Sequence, residues 1–194
     1  MKTSEKIEVK MHMENSISML KTLNMNHAII ALGKVTEKSI EDSYSREKFL
    51  EEILKEEIQG REKRKYEKRL KLAYFPEYKT LDEFNLDEQV TLSKKQSNQL
   101  KELSWLERGF NLIFLGAPGV GKSHMAVGLG IEALNNGYKV RFVTMADLIH
   151  LLKTQEISTR SRNEIKRIID SDLVIIDDLM FIAMEKNEAN MFFQ

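Results

Sequence analysis

Residues 111–123 read Asn-Leu-Ile-Phe-Leu-Gly-Ala-Pro-Gly-Val-Gly-Lys-Ser, and the fold class turns on this stretch. Its first six residues are an apolar run ending in glycine, which predicts a buried β-strand. Gly116, Ala117, Pro118, Gly119, Val120, Gly121, Lys122 and Ser123 then fit the pattern G-x-x-x-x-G-K-[ST] without a mismatch. From Lys122 to about Asn135 a helical pattern follows, closed by Asn136-Gly137 as a left-handed cap. Strand, glycine loop and helix, in that order, make a phosphate cradle. Glycine permits a tight turn around a phosphate where a Cβ would collide. Successive N–H groups point inward, and the helix that follows adds its positive end. Lys122 sets an ammonium against the terminal phosphates, and Ser123 offers a hydroxyl to a magnesium ion. His124 follows directly and joins the expected contact set. A plain glycine turn with a chance lysine is the competing reading; the flanking strand and helix weigh against it.

Downstream, KVRFVTM (139–145) predicts a second strand. Ala146 to Lys153 and Ser161 to Asp170 predict helices, and LVIID (173–177) predicts a third buried strand. Strands alternating with helices imply an α/β fold: a parallel sheet with flanking helices on both faces. The third strand ends in two carboxylates, Asp177 and Asp178. A buried strand of this kind delivers acids to the carboxyl edge of a sheet, where the phosphate loop also sits. There Asp177 would hold magnesium through water, and Asp178 would orient or deprotonate an attacking water. Apolar strands also end in Asp simply as a turn residue, and only the complete loop upstream tips the balance.

Upstream, the character is different. Residues 1–75 hold two glycines, Gly33 and Gly60, and no proline. Ile17, Leu20 and Leu23 repeat at helical spacing. Phe49, Leu50, Ile53, Leu54 and Ile58 form a second apolar face, and a third stretch runs from near Arg61 to Phe75, ended by Pro76. Residues 1–75 therefore read as a small helical domain, residues 76–110 as a connector with short helices, and residues 111–194 as the start of the sheet domain. Within the connector, Thr80 to Glu83 and Ser93 to Gln96 both have capping-box spacing. Between Arg61 and Lys71 lie seven basic residues against Glu62 and Glu67. Arg61, Lys63, Arg64, Lys65, Lys68 and Arg69 could contact DNA phosphates from one helix. Equally, the ridge could be a solvated face pairing with the acidic stretch from Glu41 to Glu57. His12, His27, His124 and His150 have no shared metal-ligand spacing, and Trp105 reads as a core anchor rather than a base-stacking residue.

Composition excludes several classes. Basic and acidic residues balance at 30 each, so no global charge draws the chain to nucleic acid. There is no cysteine, which removes disulfides and thiolate metal sites. No apolar run is long enough for a membrane span, and the start, MKTSEKIEVK, lacks the apolar stretch of a signal peptide. A cytoplasmic location is expected.

The stretches AYFPEYKTLDEFNLDEQ (73–89), ERGFNLIFLGAPGVGKSHMAVGLGIEALNNGYKVRFVTMADLI and DLVIIDDL together resemble the IstB-like helper ATPases of bacterial insertion sequences. Those are similar to DnaC-type helicase loaders, and both belong to the AAA+ class of P-loop NTPases. The likeness runs from about residue 17 onward. Phe75-Pro76, Lys79-Thr80-Leu81 and Phe84, ahead of Glu107-Arg108-Gly109, favour the transposition helper. The resemblance implies ATP and Mg2+ as cofactors and a homo-oligomer on double-stranded DNA. Its partner would be the transposase of the same element or, in the helicase-loader alternative, a replicative helicase. Lys122 and Ser123 match the family's phosphate and magnesium residues, and Asp177 and Asp178 its acidic pair. A third alternative is a non-hydrolysing fragment that acts only as a binding module.

The sequence also departs from that pattern. Relatives continue past the acidic pair with glycine and proline, where Met180 and Ala183 stand here. The family's sensor strand, arginine finger and helical lid have no counterpart before Gln194. In such a sheet the missing strand would lie between 111–116 and 173–177, leaving unpaired edges. On this basis the chain is expected to be a truncated product, marginally stable and impaired in hydrolysis. Cooperative melting with ordinary ATP turnover would contradict that expectation.

Overall fold

The computed structural model of the chain describes residues 2–85 and 92–179. Two compact units are present, Met1–Lys65 and Tyr66–Gln194. The first is helical: α1 (Lys2–Thr22), α2 (Asn26–Glu41) and the leading part of α3 (Arg46–Ala73). Its core is Ala28, Leu32 and Val35 of α2 against Ile53 of α3, with Ile17, Leu20, Met25 and Phe49 around them. The α2 residues recur at i, i+4 and i+7, the spacing that puts them on one face. The two apolar stretches expected on either side of Gly60 are one continuous helix. A glycine inside a helix costs only about 1 kcal/mol against alanine. Here, moreover, the His27 ring packs where a Cβ on Gly60 would lie, 2.1 Å from its Cγ.

The second unit begins in the last turns of α3, which stop at Ala73 ahead of Tyr74 (φ +57°) and Pro76. A 3₁₀ turn follows at Leu81–Glu83, capped as the sequence predicts: Glu83 accepts the Thr80 amide at 2.7 Å. After it come α4 (Lys94–Lys101, capped by Ser93) and α5 (Ser104–Glu107). Next are α6 (Lys122–Asn135), β1 (Val140–Thr144), α7 (Met145–Thr154), α8 (Thr159–Ile169) and β2 (Leu173–Asp177).

β1 and β2 pair in parallel, in register from Val140 opposite Leu173 to Thr144 opposite Asp177. Alternation sends successive side chains to opposite faces. Val140, Phe142 and Ile175 pack with Val127, Ile131 and Leu134 of α6. Val143, Val174 and Ile176 pack with Leu148 and Ile149 of α7 and Ile165 and Ile168 of α8. The sheet is thus covered on both faces, as a parallel sheet requires.

One expected strand differs. Residues 111–116 have no hydrogen-bonded ladder partner among the described residues, although their side chains alternate as a strand's would. Leu112 and Phe114 pack against Leu81, Met125 and Leu129, while Ile113 and Leu115 are exposed. An apolar run specifies which face is buried; a strand also needs a neighbour to share its N–H and C=O groups. Met180 and Ala183 lie outside the described residues. Among those described, no helix is long and apolar enough to cross a membrane.

Candidate nucleotide site

The loop from Gly116 to Val120 is exposed on the surface of the second unit. Gly119 within it and Gly121 just after it take backbone angles that side chains resist: φ is +81° at Gly119 and +86° at Gly121. Gly121 is the residue before α6, and as a glycine it offers that helix no capping side chain. The first hydrogen bond inside it joins the Met125 amide to the Gly121 carbonyl at 2.9 Å. The N–H groups of the first turn, at Lys122, Ser123 and His124, are those a helix cannot use itself. With the helix dipole they favour an anion at this end. Lys122 Nζ donates to the Ala117 carbonyl at 2.8 Å, so the ammonium spans the loop it belongs to. The Ser123 side chain is exposed in the first turn. Ala117, Pro118 and Val120 carry the loop between the glycines.

His124 faces a different way. Its Nε2 lies 2.8 Å from the Thr80 carbonyl, and its ring meets Phe84 edge-on with centroids 5.2 Å apart. The Phe84 ring also occupies the space beside Gly121, where a Cβ would come within 2.6 Å of it. The connector touches α6 at two further glycines. A Cβ on Gly128 would meet Leu81 at 2.5 Å, and one on Gly130 would meet both Phe75 and Ile175 at 2.8 Å. Phe75, Leu81 and Phe84 are the apolar residues of the connector motif, and here they lie along the phosphate-loop helix. Sequence reading attached that motif to a family but missed this role. The signal was there: three glycines, one just before α6 and two within it, opposite three large residues in the connector.

Asp177 is the last residue of β2, two positions past Ile175, which packs on α6. Asp178 is exposed with φ +58°, and its amide donates to Asp177 Oδ1 at 3.1 Å. A carboxylate and a hydroxyl (Asp177 and Ser123) are oxygen donors, the chemistry a hard cation such as magnesium takes alongside water and phosphate oxygens. The loop is open at Gly119, where an added Cβ would meet nothing within 4 Å.

The basic residues of α3 divide by environment. Arg61 is engaged within its own unit, donating to Glu57 at 2.6 Å and to the Asn24 carbonyl at 3.0 Å. Arg69 donates to the Leu134 carbonyl at 3.3 Å. Lys63, Arg64, Lys65 and Lys68 are exposed. Tyr66, among them, is half-buried against the core, and burial together with the Tyr78 hydroxyl pushes its pKa up to about 12. Trp105 is half-buried against the core, its Nε1 donating to the Leu100 carbonyl at 2.9 Å. No group of three or more His, Cys, Asp or Glu among the described residues could by itself hold a metal ion.

The family described as IstB-like ATP binding protein matches residues 18–194. An IS21-like protein of Bacteroides fragilis, named for ATP binding, is 31% identical over 94% of this chain and 70% of its own length. The IS21 counterpart from Pseudomonas aeruginosa is 32% identical over 91% of this chain and 66% of its own length. That of IS5376 from Geobacillus stearothermophilus is 32% identical over 78% and 60%. The chain spans about two thirds of the length of these relatives. With a G-x-x-x-x-G-K-S loop opening a helix on a parallel sheet, and a family match across nearly its whole length, this chain belongs to the IstB-like ATP-binding proteins of insertion sequences.

Proposed function

We propose that the chain binds ATP together with Mg2+ at residues 116–123 and acts as a helper of DNA transposition. The observation that carries this reading is the start of α6: a helix opening on a left-handed glycine, which brings no capping side chain, with Lys122 reaching back across the loop. In this reading the amides of the first turn and Lys122 hold the β- and γ-phosphates. Ser123 and Asp177 hold the cation, and Asp178 orients the water that attacks the terminal phosphate. The bound cation would neutralise phosphate charge. The relatives' names place them in insertion sequences, which supports a partner in transposition over a replicative helicase. The partners proposed are double-stranded DNA, the transposase of the same element, and further copies of this chain.

The test is equilibrium titration of the chain with a fluorescent adenine nucleotide and magnesium. Saturable uptake is expected, and Lys122→Ala should weaken it at least about thirtyfold, roughly the 2 kcal/mol that removing one partner of a charge pair costs. No uptake by the unaltered chain, or equal uptake by Lys122→Ala, refutes the site.

A further inference from the structure

The first turn of α6 has an odd design for a helix that must present its amides accurately. Its cap is a left-handed glycine, which has no side-chain oxygen to offer the amides of the first turn. Good caps contribute about 1 kcal/mol, and this helix forgoes one. Leaving those amides free is what an anion site needs, but a turn without a cap frays. The support comes instead from the connector. His124 is the third residue of the helix, and its Nε2–H donates to the Thr80 carbonyl. The carbonyl can only accept, so the bond fixes the proton on Nε2. Phe84 closes the other side, edge-on to the His124 ring and against the bare backbone of Gly121. Thr80 itself is fixed by Glu83, whose carboxylate accepts both its amide and its hydroxyl.

We propose that His124, held by the Thr80 carbonyl and Phe84, is a positioning residue that pre-forms the phosphate loop and couples nucleotide binding to the order of the connector over residues 75–84. This inference rests on the loop being a nucleotide site. Its physical basis is population. A protein whose competent loop is only fractionally formed binds with its affinity reduced by that fraction. Removing the clamp lowers the fraction, and the bound phosphate must then order the turn itself. Coupling is reciprocal, so a nucleotide that is helped by an ordered connector must in turn order it.

The experiment uses the whole chain and the same fluorescent adenine nucleotide with magnesium. His124→Ala should raise Kd about fivefold to tenfold, the effect of losing one hydrogen bond and a ring contact. His124→Gln can still donate from its amide to Thr80 and should recover most of that loss. Phe84→Leu should weaken binding about threefold. Urea unfolding without nucleotide checks that each variant is folded. Amide exchange over residues 75–84 should slow when nucleotide binds the unaltered chain, and slow much less in His124→Ala. A merely structural histidine would shift the urea midpoint and leave both Kd and this protection unchanged. A folded His124→Ala chain that binds as tightly as the original overturns the clamp while leaving the nucleotide site standing. If His124→Ala does not fold, Phe84→Leu decides in the same way. No uptake by the unaltered chain overturns the site reading, and the clamp with it.

Discussion

Glu57 shows how much one residue can organise. It is 4% exposed, yet its carboxylate accepts the Ala28 amide at 2.9 Å and Arg61 Nε at 2.6 Å. Ala28 lies in the first turn of α2, whose N-cap, Met25, makes no side-chain cap hydrogen bond. Glu57 therefore acts as the missing cap, supplied from α3. Burial pushes its carboxyl up, but Arg61 and the Ala28 amide outweigh that and hold it below the usual range. The folded pKa is thus below the unfolded one. The stabilisation is present above the unfolded value, about 4.3, and is lost as pH falls through the folded value. Glu57→Gln should cost about 1–3 kcal/mol at neutral pH, since it leaves a charged partner and a buried donor poorly met. The gap between the two chains should narrow as the solution is acidified below about pH 4. Urea unfolding of both chains across pH 3–7 measures it. Curves that stay parallel over the acid range would show that Glu57 is not the titrating group.

At the scale of the element, α3 carries two kinds of cation. Arg61 and Arg69 are tied to carboxylate and carbonyl oxygens, whereas Lys63, Arg64, Lys65 and Lys68 are exposed. If this helix lies on DNA, the exposed four are the ones that displace counterions. Lys65→Ala with Lys68→Ala should flatten the slope of log K against log salt by about 2, while Arg69→Ala should alter stability more than slope. Fluorescence anisotropy with duplex DNA over a salt series reads this directly. An unchanged slope would place the basic residues outside the DNA interface. That division into tied and exposed residues could not be read from the run of charges, because it depends on which oxygens lie nearby in the fold. Other elements were legible. α6, β1 and β2 follow from apolar periodicity punctuated by glycine and asparagine, which are local signals. The loop at 116–121 and the helix it opens were legible because glycine and lysine mark them by residue type. Its support by Thr80 was not, since Thr80 contributes a carbonyl that any residue would have.

For the molecule as a whole, the two faces of the segment 111–116 belong to different environments. Leu112 and Phe114 are packed with Leu81, Met125 and Leu129, the same cluster that seats the connector on α6. Ile113 and Leu115 are 73% and 79% exposed, and Phe110 is 61% exposed. Among the described residues, no neighbouring strand takes up the backbone groups of this segment. An apolar run with unpaired N–H and C=O groups is a template for pairing with another chain. The opposite effects of substitution on the two faces follow. Phe114→Ala should destabilise the fold by about 2–4 kcal/mol through a cavity beside α6. Ile113→Lys with Leu115→Lys should change stability by less than about 1 kcal/mol, because exposed side chains have little burial to lose. The same lysine pair should suppress self-association, since charge on an open edge opposes strand pairing. Urea midpoints and light scattering at rising protein concentration separate the two effects. If the lysine pair unfolds the chain as strongly as Phe114→Ala does, then Ile113 and Leu115 are buried in solution and this face is already covered.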